Sequence, residues 1–154
     1  MAKGSRRDRT ITVNRRARYD YDIADTLEAG LVLTGTEIKS IRANRVNLSD
    51  AYARSDTGEL WLHNAHIAEY AAGNRDNHEP KRSRKLLLRR DQITHLTKQV
   101  SERGMTLVPL KLYLKGGYAK VELAVAKGRK RYDKRRAIIE RDREREARDA
   151  MGRH

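Results

Sequence analysis

Two alternating apolar runs, residues 106–114 and 118–126, flank Lys115-Gly116-Gly117 and constrain the chain more than any other feature. Alternation at every second residue is the period of a half-buried strand. Gly-Gly supplies the positive φ that a two-residue hairpin turn needs and that side chains with a Cβ avoid. The predicted hairpin is long and apolar on one face. A lone hairpin is marginal in water, so further strands or a helix must cover it.

The rest of the chain offers mostly short strands. Residues 10–13 begin an alternation, Tyr19-Asp20-Tyr21-Asp22-Ile23 shows another, and 27–33 is an apolar stretch in which Gly30 predicts a bend or bulge. Residues 46–53 alternate again. Asp56-Thr57-Gly58-Glu59 reads as a turn into Leu60-Trp61-Leu62, and 67–70 as one more short strand. Thr34-Gly35-Thr36-Glu37 fits a capping box opening a short helix with Ile38 and Ile41 on its apolar side. Residues 89–104 form the clearest helix, with Ile93, Leu96 and Val100 on one face and Gly104 as its stop. Short antiparallel strands with inserted helices predict a mainly β fold: a small closed antiparallel barrel of the oligonucleotide-binding kind. The predicted divisions are a disordered basic arm at 1–9, a barrel domain at 10–127 and a charged tail at 128–154.

Charge then narrows the partner. Lys and Arg number 35 against 21 Asp and Glu, a formal net charge of +14. Charge of that size repels itself in the compact state and is matched by an anionic partner, nucleic acid first. No apolar run approaches the ~20 residues of a membrane helix, so no membrane partner is expected. The first residues, Met1 to Arg7, have no apolar segment behind their cations and do not read as a secretory signal. Cysteine is absent, which removes disulfides and thiolate metal sites, and the expected location is the cytoplasm.

Catalytic signatures are weak. The stretch from Gly30 to Thr36 has the glycine spacing of a phosphate loop, but Thr36 stands where the lysine belongs. His63 and His66 are three apart, a spacing that puts them on opposite faces of a strand. No Ser or His sits in a nucleophile motif. The expectation is a monomeric binding protein, not an enzyme, with no cofactor and no metal.

Two basic segments stand out. In 82–90, Arg82, Arg84, Lys85, Arg89 and Arg90 flank the triplet Leu86-Leu87-Leu88, so the leucines are expected to anchor while the cations face out. The preceding loop adds Asn74, Asn77 and His78, polar groups of the kind that bind unstacked bases and riboses. From Lys127 onward the chain holds twelve Lys and Arg against six acids, with Ile138-Ile139 the main apolar pair. A helix of about 20 residues without a core partner is marginal, so this tail is expected to be disordered alone and helical on RNA.

Four strings taken in order carry a family resemblance: Glu37-Ile38-Lys39-Ser40-Ile41-Arg42, Arg84-Lys85-Leu86-Leu87-Leu88, Leu107-Val108-Pro109-Leu110-Lys111-Leu112-Tyr113, and residues 126–135. Each is weakly specific and the ordered set is highly specific. The chain resembles the small protein B, or SsrA-binding protein, family from about Asn14 to beyond Arg135. The resemblance implies a bacterial RNA-binding adaptor of trans-translation. Its barrel would grip the tRNA-like domain of transfer-messenger RNA, promote charging by alanyl-tRNA synthetase and delivery with elongation factor Tu, and reach stalled ribosomes. It maps RNA contacts to Glu28, Leu87 and the position of Arg89, where relatives can carry Asn, with support from Asn74, His78, Arg82, Arg84 and Lys85. It assigns Lys127, Gly128, Lys130, Tyr132, Asp133, Lys134 and Arg135 to the small-subunit decoding centre and empty message channel. The alternative reading is a generic barrel protein that binds ribosomal RNA.

Overall fold

The computed structural model describes residues 8–71, 77–129 and 131–151, and in the last stretch the side chains of 135 and 138–150. Nine strands follow in order: β1 (Arg9–Val13), β2 (Tyr21–Leu31), β3 (Val46–Asn47), β4 (Tyr52–Asp56), β5 (Glu59–His63), β6 (His66–Ile67), β7 (Arg84–Leu87), β8 (Thr106–Lys115) and β9 (Tyr118–Gly128). Helices α1 (Arg15–Asp20), α2 (Gly35–Arg42), α3 (Arg90–Arg103) and α4 (Arg131–Met151) interrupt and follow them. The main sheet runs β1-β8-β4-β5-β7-β2-β9, and β9 returns to pair with β8, so the last six strands close a ring. Its pairs are antiparallel throughout. The barrel expected from the short alternating runs is present.

Both predicted hairpins form, for the predicted reason. Gly116 and Gly117 take φ of 60° and 87°, and Thr57 and Gly58 take 51° and 79°. Two successive positive φ values match the twist of the flanking strands. The capping box also forms: the Glu37 backbone N–H donates to Thr34 Oγ1, and Glu37 Oε1 accepts from the Thr34 N–H at 2.8 Å. Gly104 ends α3 in the left-handed conformation, φ 63°.

Inside the ring, Leu60, Leu62, Leu86, Leu107, Leu112, Leu114, Val121, Leu123 and Val125 are buried together, sealed by Ile41 of α2 and Leu96 of α3. The register of β8 shifts between Pro109 and Lys111, which keeps both Leu107 and Leu112 inward. Proline brings no N–H to the ladder, so a bulge is where a paired strand tolerates it. Asn14 serves the irregular backbone there, with its side-chain amide donating to Pro109 O at 2.9 Å and Leu48 O at 3.1 Å.

Several local expectations change. Tyr19 and Asp20 belong to α1, a helix missed within 15–20, and the strand begins at Tyr21. Asn14 caps this helix by accepting from the Ala17 N–H at 3.2 Å. Ala17 then packs on Val108, Leu110, Ala124 and Ala126 outside the barrel. The bulge expected at Gly30 lies instead between Ile23 and Asp25. Residues 46–53 split into β3 and β4, and the strand expected at 67–70 is the two-residue β6. His63 and His66 occupy different strands, separated by Asn64 at φ 61°. In the tail, Arg131–Met151 forms α4, and half-buried Ile138 shares a recess with Arg18, Tyr19 and Arg129. Of the arm expected at 1–9, residues 1–7 lie outside the described residues, and Arg9 begins β1.

Candidate nucleic-acid interface

Strands β7, β2, β9 and β8 lie side by side and present one outward face. Leu87 is in register with Gly30, Gly30 with Lys120, and Lys120 with Tyr113, so these positions form a row across the strands. A second row runs Glu28, Glu122, Lys111. Positions directly opposite in an antiparallel pair share a face. Glycine at 30 is explained by a close approach: a Cβ there would lie 3.1 Å from the Cβ of Leu87. That contact seats Leu87 on bare backbone while leaving 52% of it exposed.

Charge is arranged around Tyr113. Lys115 Nζ lies 3.2 Å from Glu28 Oε2, Lys111 Nζ lies 3.6 Å from Glu122 Oε2, and Lys111 sits 5.3 Å from the centre of the Tyr113 ring. Burial, then the charge of Glu28, its hydrogen bond and the charge of Glu122 push the Tyr113 phenol up to about 12. The hydroxyl therefore keeps its proton and donates to Glu28. Glu28 remains solvent-accessible, with acceptor capacity beyond these two donors. In a cationic field such a carboxylate suits base amino or ribose hydroxyl groups rather than phosphates.

The basic segment at 82–90 divides in a way that corrects the expectation. Strand parity puts Arg84 and Leu86 inside, both fully buried, and Lys85 and Leu87 outside. Arg84 donates through Nε to Glu37 and through Nη1 to Ala65 O at 2.6 Å, and through Nη2 to Pro80 O at 3.0 Å. Arg82 Nη2 lies 2.6 Å from the other oxygen of Glu37. Burial alone would raise the Glu37 carboxyl, but hydrogen bonds from Arg82, the Thr34 N–H and Arg84, with the charge of Arg84, hold it below its ordinary value. Arg84 is thus a strut and not an outward cation.

His78 is corrected likewise. It is 7% exposed, with Nε2 2.8 Å from Ile67 O and Nδ1 2.9 Å from Thr36 Oγ1. A carbonyl can only accept, so Nε2 carries hydrogen and the ring clamps β6 to α2. Asn77 bonds both backbone groups of Tyr70, and Asn74 lies outside the described residues. Lys85 is half-buried, 3.6 Å from Glu59. Arg89 is exposed, with Asp91 at 3.2 Å.

The structure therefore gathers Glu28 and Leu87 on one face, with Lys85 and Arg89 on or beside the same strand. Lys111, Tyr113, Lys115 and Lys120 join them, and sequence reasoning missed these four. The signal was available: counting back from the Gly-Gly turn pairs Tyr113 with Lys120. In the tail, Lys127 and Gly128 end β9, and Arg135 is exposed on α4. Tyr132, Asp133 and Lys134 lie in the first turns of α4, while Lys130 is outside the described residues. Among the described residues no helix is long and apolar enough to cross a membrane.

Over nearly its whole length the chain is similar to known proteins of one family. The SmpB protein family matches residues 11–153. The SsrA-binding protein of Frankia casuarinae is 58% identical over 94% of this chain and 91% of its own length. That of Thermobifida fusca is 53% identical over 99% of each. A chain of the solved structure described as "tmRNA-SmpB: a journey to the center of the bacterial ribosome" superposes with a TM-score of 0.67. It is 47% identical and covers 82% of this chain and 93% of that one. The family is one of RNA-binding proteins, not enzymes, and this chain belongs to the SmpB protein family.

Proposed function

We propose that this protein is an RNA-binding adaptor of trans-translation. The outward face of β7, β2, β9 and β8 binds the tRNA-like domain of transfer-messenger RNA, and the α4 segment enters the decoding centre and empty message channel of a stalled ribosome. The observation that carries this reading is the continuous row Leu87, Gly30, Lys120 and Tyr113 beside Glu28. It combines an exposed apolar anchor, a base-directed acceptor and cations for phosphate on one face. Membership of a family whose members are named SsrA-binding proteins, with a likeness to a tmRNA-SmpB structure, supports the same partner.

Within this reading Glu28 accepts from a base or ribose and Leu87 packs against an unstacked nucleotide. Arg82, Lys85, Arg89 and Asn74 add phosphate and ribose contacts. Arg84 and His78 act indirectly, by holding residues 77–80 and β7 in place. Aminoacylation by alanyl-tRNA synthetase and delivery with elongation factor Tu follow from presenting the RNA in one shape. Lys127, Gly128, Lys130, Tyr132, Asp133, Lys134 and Arg135 form the ribosome-facing segment, where a tyrosine ring can stack on a ribosomal base. The cytoplasm, where ribosomes translate, is the matching location.

Two measurements test the halves separately. Gel-shift competition at stated salt should favour transfer-messenger RNA over ordinary tRNA, and equal affinity would reduce the protein to a generic ribosomal RNA binder. Replacing Asp133, Lys134 and Arg135 together by Ala should abolish peptide tagging on a non-stop message while RNA affinity persists. Normal tagging would refute the tail assignment.

A further inference from the structure

We infer that the cleft beside Tyr118 is a subsite for a single unstacked RNA base, with the Tyr118 ring as its stacking wall. The inference rests on the reading of the barrel face as an RNA surface and extends it past the row already described.

The cleft opens between the end of β2, helix α2 and the β8–β9 hairpin, with a volume of about 190 Å³. Its floor includes Leu33, Ile38 and Leu114, and its rim Leu87, Tyr118 and Lys120. Drug-sized ligands and cofactors occupy pockets of roughly 300–1,000 Å³, so this cleft suits something nearer one flat ring system. The chemistry of the wall fits: an apolar floor takes a ring face, and a lysine at the lip meets the phosphate that arrives with it.

Tyr118 is the second indication. Its side chain is 73% exposed, the most exposed of the large hydrophobic residues among those described. It is the first residue of β9, placed directly after Gly116 and Gly117 and in register with Lys115. A two-residue turn fixes the position of such a ring, so little order is lost when a base stacks on it. Glu28 lies two residues before Gly30 on the same strand face, within the same neighbourhood for exocyclic amino or ribose groups. A duplex keeps its bases stacked and cannot fill the cleft, whereas a single-stranded loop of a folded RNA can.

The test uses the full chain and a labelled tRNA-like fragment of transfer-messenger RNA. Y118A should weaken binding about tenfold, as loss of a base–aromatic stack does, while melting temperature and the salt slope of affinity stay unchanged. Y118W should bind like the wild type. Trp61 is the one tryptophan of the chain, so in W61F/Y118W the introduced indole is the only one, and its selectively excited emission should be quenched by RNA. Wild-type affinity in Y118A overturns the inference. So does unchanged emission from W61F/Y118W when anisotropy shows the RNA bound, an outcome that would leave the cleft to an apolar protein side chain. If wild-type protein binds ordinary tRNA equally well, the reading of the partner falls, and the Y118A comparison on either RNA still decides the cleft.

Discussion

Glu37 and Glu28 are both glutamates set among cations, and they do opposite work. Glu37 is sealed at 0% exposure, with Arg82, Arg84 and the Thr34 N–H consuming its two oxygens. Glu28 is 37% exposed, bound loosely by Lys115 and steadied by Tyr113. A sealed carboxylate with both oxygens engaged has nothing exposed to offer a ligand, and removing one partner strands the other in low dielectric. An open carboxylate with spare acceptor capacity adds little to stability and keeps its capacity for recognition. Net charge cannot separate the two cases, but burial does.

The sharpest way to break the contrast is Arg84→Ala. It leaves Glu37 without its buried partner and takes the side-chain donor from Ala65 O, while Pro80 O keeps the Ile67 N–H. The expected loss is about 3–5 kcal/mol in urea unfolding. A loss below about 1 kcal/mol would mean the pair is not sealed.

Next comes acid. The folded-state carboxyl of Glu37 lies below its ordinary value near 4.5, so its contribution is complete above that value and is lost as pH falls through the folded value. Glu37→Gln should therefore be less stable than wild type at pH 7, with the gap narrowing as pH drops below about 4.5. A gap constant with pH would show that the charge of Glu37 plays no part.

Glu28→Ala should do the reverse of Arg84→Ala. Stability should stay within about 0.5 kcal/mol of wild type, while affinity for the tRNA-like fragment falls about tenfold in anisotropy titrations. Lys115→Ala should change stability by under about 0.5 kcal/mol, an effect that fades with added salt because that pair is solvent-screened.

Much of this was legible in the chain itself where the signals are local. Gly116-Gly117, the Thr34/Glu37 box and the Gly104 stop each specify a turn or a cap within a few residues, and each formed as expected. Helix α1 was not legible, because its apolar content is essentially Ala17 among charges. It is held by Asn14 and by small residues on strands far along the sequence. The burial of Arg84 was half legible: it shares strand parity with Leu86, but its acceptors Glu37, Ala65 and Pro80 meet only in three dimensions. For the same reason Glu28 and Leu87 entered through family resemblance. The face they share depends on register between β2, β7 and β9.

Ring closure has a consequence for how the molecule yields under load. Strand β4 joins β8 at a single register position, Ala53 with Leu107, whereas β9 is bound to β2 and β8 along nearly its whole length. The barrel is a belt with a short buckle; Gly30, Lys120 and Tyr113 lie on the long β2–β9–β8 strap, and Leu87 joins them across the two-position β7–β2 pairing. When a large RNA pulls on the protein, the buckle can breathe while the strap keeps its spacing. Backbone amides near Ala53 should accordingly exchange with solvent before those of β9 do.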